Sequence, residues 1–326
     1  MNVLSLFDGI SCGYLALKRA GIPIDVYYAS EIDPVAIGIS QFNNLHIIQL
    51  GAVEKININK LPKIDLLIGG SPCQGFSRAG LGLNFEDPRS KLFFNFVDIL
   101  KHLKKDNPNI KFMLENVNMK NDWIKVISDY LGVNPIRINS DLIIPQNRDR
   151  LYWTNINVLP IQKTKLILSD ILENIDLIDY ISKDGIKIDR SFSKQSIDLV
   201  SFIDGELRIK QSTKAGYIVA ENGDGINISF PTSKSRRGRV IRKRSSCLDT
   251  ACNIGVFYNG CIRRFTINEL EKLQTLPINY TKFFCDKDDK LKYVTDKQRK
   301  QVIGNGWTVD VIAHIFKGLN KGANNG

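Results

Sequence analysis

The first 160 residues alternate short apolar runs with helix-length segments, and this alternation limits the possible folds more than any other feature of the chain. Residues 3–7, 26–30, 46–50, 65–68, 112–114, 135–139 and 151–156 have the length and side-chain types of strands. Between several of them lie stretches with helical spacing. Residues 12–20 close on Gly21, and 89–105 carries apolar side chains at 92, 93, 96, 97, 100 and 103. Strand, helix and strand in repeated succession imply a parallel sheet covered on both faces, since each crossover helix lies on a face. We therefore expect an α/β, doubly wound, Rossmann-like domain. The regularity stops near residue 160. From there to about 290 the chain is richer in polar and β-branched residues, with turn signals such as Asn222-Gly223-Asp224-Gly225. Residues 308–319 return to helical spacing, with an apolar stripe at 309, 311, 312, 315, 316 and 319 that has to be buried. The expected partition is a larger unit of 1–165 plus 295–326 and a smaller one of 166–294.

Charge narrows the partners. Forty-five Lys and Arg against 34 Asp and Glu leave a formal net charge of +11, which favours a polyanion. No stretch approaches 18 consecutive apolar residues, and the start MNVLSLFDGI lacks a basic n-region, so neither a membrane span nor a secretory signal is expected. The six cysteines include no C-x-x-C pair and have no paired His beside them. Free thiols in a reducing cytoplasm are expected, and no metal site.

Ligands of a doubly wound sheet sit beyond the carboxyl ends of its strands, at the first strand-to-helix turn. Here that turn is Phe7-Asp8-Gly9-Ile10-Ser11-Cys12-Gly13, whose small residues allow close backbone approach. Glu31 ends the second strand, where a carboxylate could accept both hydroxyls of a ribose. The turn does not fit the G-x-G-x-x-G dinucleotide pattern, which argues against NAD. A second loop, Gly69-Gly70-Ser71-Pro72-Cys73-Gln74-Gly75, directly follows a strand and offers a cysteine as a nucleophile. Glu115-Asn116-Val117 brings a carboxylate to the same rim. Arg148 and Arg150, alternating before a further strand, are expected on one face.

Taken together, Phe7-Asp8-Gly9, Pro72-Cys73-Gln74, Glu115-Asn116-Val117, Gln146-x-Arg148-x-Arg150, the 264–277 segment with Glu269, Leu273 and Gln274, and Gly304-Asn305 resemble the DNA cytosine-5 methyltransferases, in that family's order and over nearly the whole chain. The resemblance implies a methyltransferase domain dependent on S-adenosylmethionine, joined to a smaller target-recognition domain, and a cytosine flipped out of double-stranded DNA as acceptor. It implies Cys73 as the thiolate that adds to carbon 6 and so makes carbon 5 nucleophilic. Glu115 would bind ring nitrogen 3 and the exocyclic amine, Arg150 the ring carbonyl oxygen, and Arg148 would support the pocket. By the same resemblance the cofactor would be held by Phe7, Asp8, Gly9, Ile10, Ser11, Glu31, Ile32, Pro72, Leu92, Asn305 and Trp307.

Departures from the family pattern are informative. Ser11 and Cys12 stand where glycines are usual, and this variant, like the tail Gly304-Asn305-Gly306-Trp307, resembles the animal de novo methyltransferase subgroup. Gly51-Ala52 replaces a common Gly-Asp whose carboxylate contacts adenine, so that contact is not carried over. The length fits a cytoplasmic modification enzyme of a bacterium or phage-infected host, of the restriction-modification type and acting as a monomer. The stretch Lys234-Ser-Arg-Arg-Gly-Arg-Val-Ile-Arg-Lys-Arg244 holds seven basic residues in eleven, in the interval where the family keeps its recognition domain. Arg236, Arg237, Arg239, Arg242 and Arg244 are therefore candidate DNA contacts, with Gln74 and Ser77 from the cysteine loop. An RNA methyltransferase and a catalytically dead DNA-binding relative are the alternatives. The recognition interval of over 100 residues favours DNA over RNA, and the intact Cys73, Glu115 and Arg150 favour an enzyme.

Overall fold

Seven strands form the principal sheet of this computed structural model, which describes residues 1–71, 88–176, 179–286, 288 and 290–322. In chain order the first half runs β1 (Asn2–Leu6), α1 (Cys12–Arg19), β2 (Val26–Ser30), α2 (Pro34–Asn43), β3 (Ile48–Gln49), β4 (Leu66–Gly70), α3 (Pro88–Asp106), β5 (Lys111–Val117), α4 (Asn121–Leu131), β6 (Pro135–Asn139), β7 (Gln146–Asn147) and β8 (Asp149–Thr154). The sheet order is β3-β2-β1-β4-β5-β8-β6. Neighbours from β3 to β5 are parallel, and β8 runs antiparallel between β5 and β6. The order reverses between β1 and β4, which opens a crevice at the carboxyl ends of the strands.

Alternation along each strand sorts side chains between two cores. Val3, Ile68, Met113 and Tyr152 face the layer that holds α1. Leu4, Leu67, Leu114 and Trp153 face the opposite layer, where Phe93, Phe96 and Leu100 of α3 pack. Most expected strand boundaries moved by one to three residues, and two of the shifts have a clear cause. β5 runs on to Val117 because Glu115 and Asn116 keep the ladder with Tyr152 and Leu151, although neither is a strand-like side chain. β3 shortens to two residues at the sheet edge, where Ile48 is left exposed.

The second half continues with β9 (Tyr180–Lys183), β10 (Ile186–Asp189), α5 (Lys194–Ile197), β11 (Val200–Ile203), β12 (Glu206–Lys210), β13 (Tyr217–Ala220), β14 (Asp224–Asn227), β15 (Arg239–Ile241), β16 (Ser245–Ser246), β17 (Gly255–Tyr258), β18 (Cys261–Arg264), α6 (Ile267–Leu273), the hairpin of β19 (Phe283–Cys285) and β20 (Leu291–Tyr293), α7 (Asp296–Asn305) and α8 (Val309–Phe316). A six-stranded sheet, β15-β14-β17-β18-β10-β9, and a β11-β12-β13 meander share a core around Ile188, Leu207, Ile209, Ile226 and Ile262. Leu270, Leu273, Leu276 and Tyr280 pack instead into the α1 layer of the principal sheet. The amphipathic α8 lies there too, its Val311, Ile312 and Ile315 buried and its Asp310 paired with Arg19 of α1 at 2.6 Å. No helix among the described residues is long and apolar enough to cross a membrane.

Candidate active site

The turn from β1 into α1 holds Phe7, Gly9 and Ser11 at positive φ (58°, 59° and 60°). A non-glycine residue in this region costs about 1–2 kcal/mol. Ser11 is held there by its hydroxyl, which donates to Asp8 Oδ2 at 2.5 Å and meets Ser40 Oγ at 2.6 Å. Tyr27 donates to the other oxygen, Asp8 Oδ1, at 2.7 Å. Burial pushes the Asp8 carboxyl up to about 6, against the opposing pull of these hydroxyls. Asp8, Ile10 and Ser11 are thus buried beneath the turn, while Phe7 and Gly9 line a cavity of about 520 Å³ at the strand ends.

Glu31 forms the next wall. Its Oε2 accepts from Gly9 N at 2.8 Å, and its Oε1 from Ile32 N at 2.8 Å and Asp33 N at 3.0 Å. A carboxylate has about four lone-pair sites, so some capacity remains on the cavity side. Ile32 is 74% exposed and lines the same cavity, as do Ala36, Ala52 and Leu92. A carboxylate next to a small apolar shelf suits a ribose and a flat purine, so the residues present fit S-adenosylmethionine. Asn305 and Gly306 also line the cavity.

At the other end Glu115 projects from β5. Arg150 Nε lies 3.0 Å from its Oε1, and Trp307 Nε1 donates to its Oε2 at 3.3 Å. Burial acts to lower the pKa of Arg150, but the Glu115 carboxylate and the Cys247 and Tyr152 side chains outweigh it, and the net shift is upward. The guanidinium therefore stays charged beside Glu115. Gly70 makes room for this group: a Cβ there would lie 2.9 Å from Trp307 Nε1 and 3.1 Å from Glu115 Oε2. Trp307 thus meets Glu115 directly.

Arg148 lies between the two short strand segments rather than within one. Its Nη1 donates to Leu248 O at 3.0 Å and its Nη2 to Gly304 O at 3.3 Å and Gly306 O at 2.9 Å. Arg148 and Arg150 nevertheless converge, each with an Nη 3.5 Å from Cys247 Sγ. Pro72, Cys73, Gln74 and Ser77 lie outside the described residues.

Sequence reasoning missed several supporting groups. Asn116 donates to Ser71 Oγ at 3.2 Å, anchoring the start of the cysteine loop to β5. Gln274, noted only as part of a motif, donates to Ile303 O at 2.8 Å and Gly306 O at 3.0 Å, and so holds the C-terminal end of α7, which carries Asn305. Cys247 had no local signal, because its partners are about 100 residues away. In the basic run, Arg236 and Arg239 are exposed, and Arg236 stacks 4.2 Å from the Phe230 ring. Arg237 reaches Gln211 O at 3.4 Å. Arg242 donates at 2.6 Å to Asp224, whose side chain is fully buried, and Arg244 pairs with Asp141.

The reversed sheet order, the antiparallel strand and the cavity at the strand ends define the mixed α/β fold of S-adenosylmethionine-dependent methyltransferases. A DNA modification methyltransferase encoded within an Escherichia coli prophage superposes with a TM-score of 0.65 at 20% identity, covering 100% of both chains. The Schizosaccharomyces pombe Dnmt2 methyltransferase does so at 0.60 and 17%, covering 99% of each. The chain belongs to the C-5 cytosine-specific DNA methylase family, whose pattern matches residues 1–321. It is 38% identical over 167 residues to the orphan methyltransferase M.SPRI of Bacillus phage SPR, a stretch covering 47% of this chain and 37% of that one. It is 32% identical over 162 residues to the Type II methyltransferase M.NlaX of Neisseria lactamica, covering 46% of this chain and 50% of that one. The chain thus spans between a third and a half of the length of these relatives.

Proposed function

We propose that this protein is a site-specific DNA cytosine-5 methyltransferase acting on a cytosine flipped out of double-stranded DNA. The observation that carries the reading is the Arg150–Glu115–Trp307 cluster, 3.0 and 3.3 Å across, at the end of a cavity whose other end suits S-adenosylmethionine. That cofactor, when bound, supplies an electrophilic methyl group. Glu31 would hold its ribose, Phe7, Gly9, Ile32, Leu92 and Asn305 its remaining surface, and Asp8, Ile10 and Ser11 the turn beneath it. Pro72 and Trp307 would close the pocket.

The chain's own residues then act on the base. Glu115, carrying or sharing a proton, hydrogen-bonds nitrogen 3 and takes up charge as the ring becomes electron-rich. Arg150 binds the carbonyl oxygen at carbon 2 and orients the carboxyl, and Arg148 braces the wall. The Cys73 thiolate adds to carbon 6, which turns the ring into an enamine with a nucleophilic carbon 5. Residues 1–165 plus 295–326 would form the catalytic unit and 166–294 the recognition unit, with α6 and the β19–β20 hairpin docked on the former. The exposed Arg236 and Arg239, with Arg237, would grip DNA alongside Gln74 and Ser77. We further propose that the protein works as a monomer in the cytoplasm.

Bisulfite sequencing of DNA from cells expressing the protein tests the reading and gives the recognition sequence. Protected cytosines at one short sequence are expected, and none with Cys73→Ala. The purified protein should form a denaturant-resistant adduct with duplex DNA containing 5-fluorocytosine, whose fluorine blocks elimination. Methylation of tRNA with no mark on DNA would replace this reading with an RNA-modifying one.

A further inference from the structure

The chain leaving the basic run comes straight back to the candidate active site. Arg244 pairs with Asp141, their side chains only 25% and 21% exposed. Ser245 N donates to Pro145 O at 2.8 Å, and β16 pairs in parallel with β7, Ser245 opposite Gln146 and Ser246 opposite Asn147. Leu248 N donates to the buried Gln146 Oε1 at 3.2 Å, and Leu248 O accepts from Arg148 at 3.0 Å. Cys247 Sγ lies 3.5 Å from both Arg148 and Arg150. Contacts therefore run without a break from Arg244 to the guanidinium that holds Glu115.

We propose that residues 244–248 are a positioning strap, through which the Arg244–Asp141 ion pair sets Arg148 and Arg150 from the recognition side. Arg244 is then a positioning residue and not a DNA contact. The inference rests on the methyl-transfer reading for the roles of Arg150 and Glu115. Its physical basis is the small number of groups that fix the two guanidiniums. Arg150 has Glu115 on Nε, Asp149 O on Nη1 at 2.9 Å and Cys247 on Nη2. Arg148 has the strap on Nη1 and the Gly304 and Gly306 carbonyls on Nη2. The fit on that side is close, since a Cβ on Gly304 would lie 2.1 Å from Asp249 O, just past the strap. Lifting the strap removes two contacts from Arg148 and one from Arg150, loosens both guanidiniums, and lets Glu115 turn with Arg150.

The test compares Arg244→Ala, Asp141→Ala and the exchange of Arg244→Asp with Asp141→Arg. Three readouts are needed: methyl transfer to DNA, the salt dependence of DNA binding, and the Arg150 Nε–H resonance, assigned by its loss in Arg150→Lys. Both alanine variants should lower kcat on the order of tenfold or more, as misplacement of a catalytic group does. They should weaken the resonance and leave KM for DNA and the salt slope unchanged, and the exchange should restore kcat and resonance. If Arg244→Ala does not fold, Arg244→Gln replaces it, with Arg244→Lys expected to behave as wild type. A salt slope lowered by about 0.9 in the Arg244 variant would assign it to a phosphate and overturn the proposal. So would an Asp141→Ala protein with unchanged kcat and resonance, or an exchange that restores neither. If the wild-type protein methylates no DNA, the functional reading fails and the resonance alone decides the strap.

Discussion

Asp8 is a carboxyl buried for the sake of a turn, and it makes stability depend on pH. In the unfolded chain it titrates near 3.8, and in the folded protein at about 6. Between these values the folded state holds a proton that the unfolded state has lost. Stability therefore falls as pH rises from about 4 to about 6 and stays lower above. Asp8→Asn removes the charge while keeping an acceptor for Tyr27, and its amide can donate to the Ser11 hydroxyl, which then turns to Ser40. The variant should gain up to roughly 3 kcal/mol at neutral pH, about two pKa units at 1.36 kcal/mol each, and lose the slope between pH 4 and 6. Urea unfolding across pH 4–8 measures both, and an unchanged slope would clear Asp8 of this role. The motif around Asp8 is plain in the sequence. That its side chain points down to Tyr27 is not, because the partner lies 19 residues away on another strand.

Elements meet at Glu31. By accepting from Gly9 of the first turn and from Ile32 and Asp33 of the second, it ties β1–α1 to β2–α2. Glu31→Ala should weaken S-adenosylmethionine binding by about 1.5–3 kcal/mol, from loss of the charge-assisted bond we propose to the ribose. Relaxation of the two turns adds to that loss. Calorimetry reads it directly, and an unchanged Kd would remove Glu31 from the cofactor site. The parallel strands were legible because burial on both faces writes near-continuous apolar runs into the sequence. β5 was legible only to Leu114, since Glu115 and Asn116 stay in the ladder through register with β8 and not through their own propensity. The short strands after residue 180 carry half-buried, mixed patterns, such as the alternating exposure of β9 and β12, and mark their sheet weakly.

At the scale of the whole molecule, the +11 charge is not spread evenly in its use. Arg242, though exposed, is paired with buried Asp224, whereas Arg236 and Arg239 face outward without a carboxylate partner among the described residues. Replacing Arg236 and Arg239 by Ala should lower the salt slope of duplex binding by about 0.9 per lost phosphate contact. Arg242→Ala should instead leave the slope alone and reduce stability modestly, because buried Asp224 loses its ion pair but keeps the amides of Glu221 and Lys243. Fluorescence titrations over a range of salt, with thermal melts, separate the two outcomes. Composition announced a basic protein, but only tertiary contacts sort its arginines. The packing of α8 on α1 bears on how the protein is made. The Arg19–Asp310 pair joins residues 291 positions apart, so α1, whose Tyr14 already packs on Tyr27 of β2, lacks the cover of α8 until residues 309–316 have been made. At roughly 5–20 residues per second, α1 waits about 15–60 s on the ribosome for its partner. Nascent chains should engage chaperones throughout that interval, and release from them should coincide with the emergence of α8.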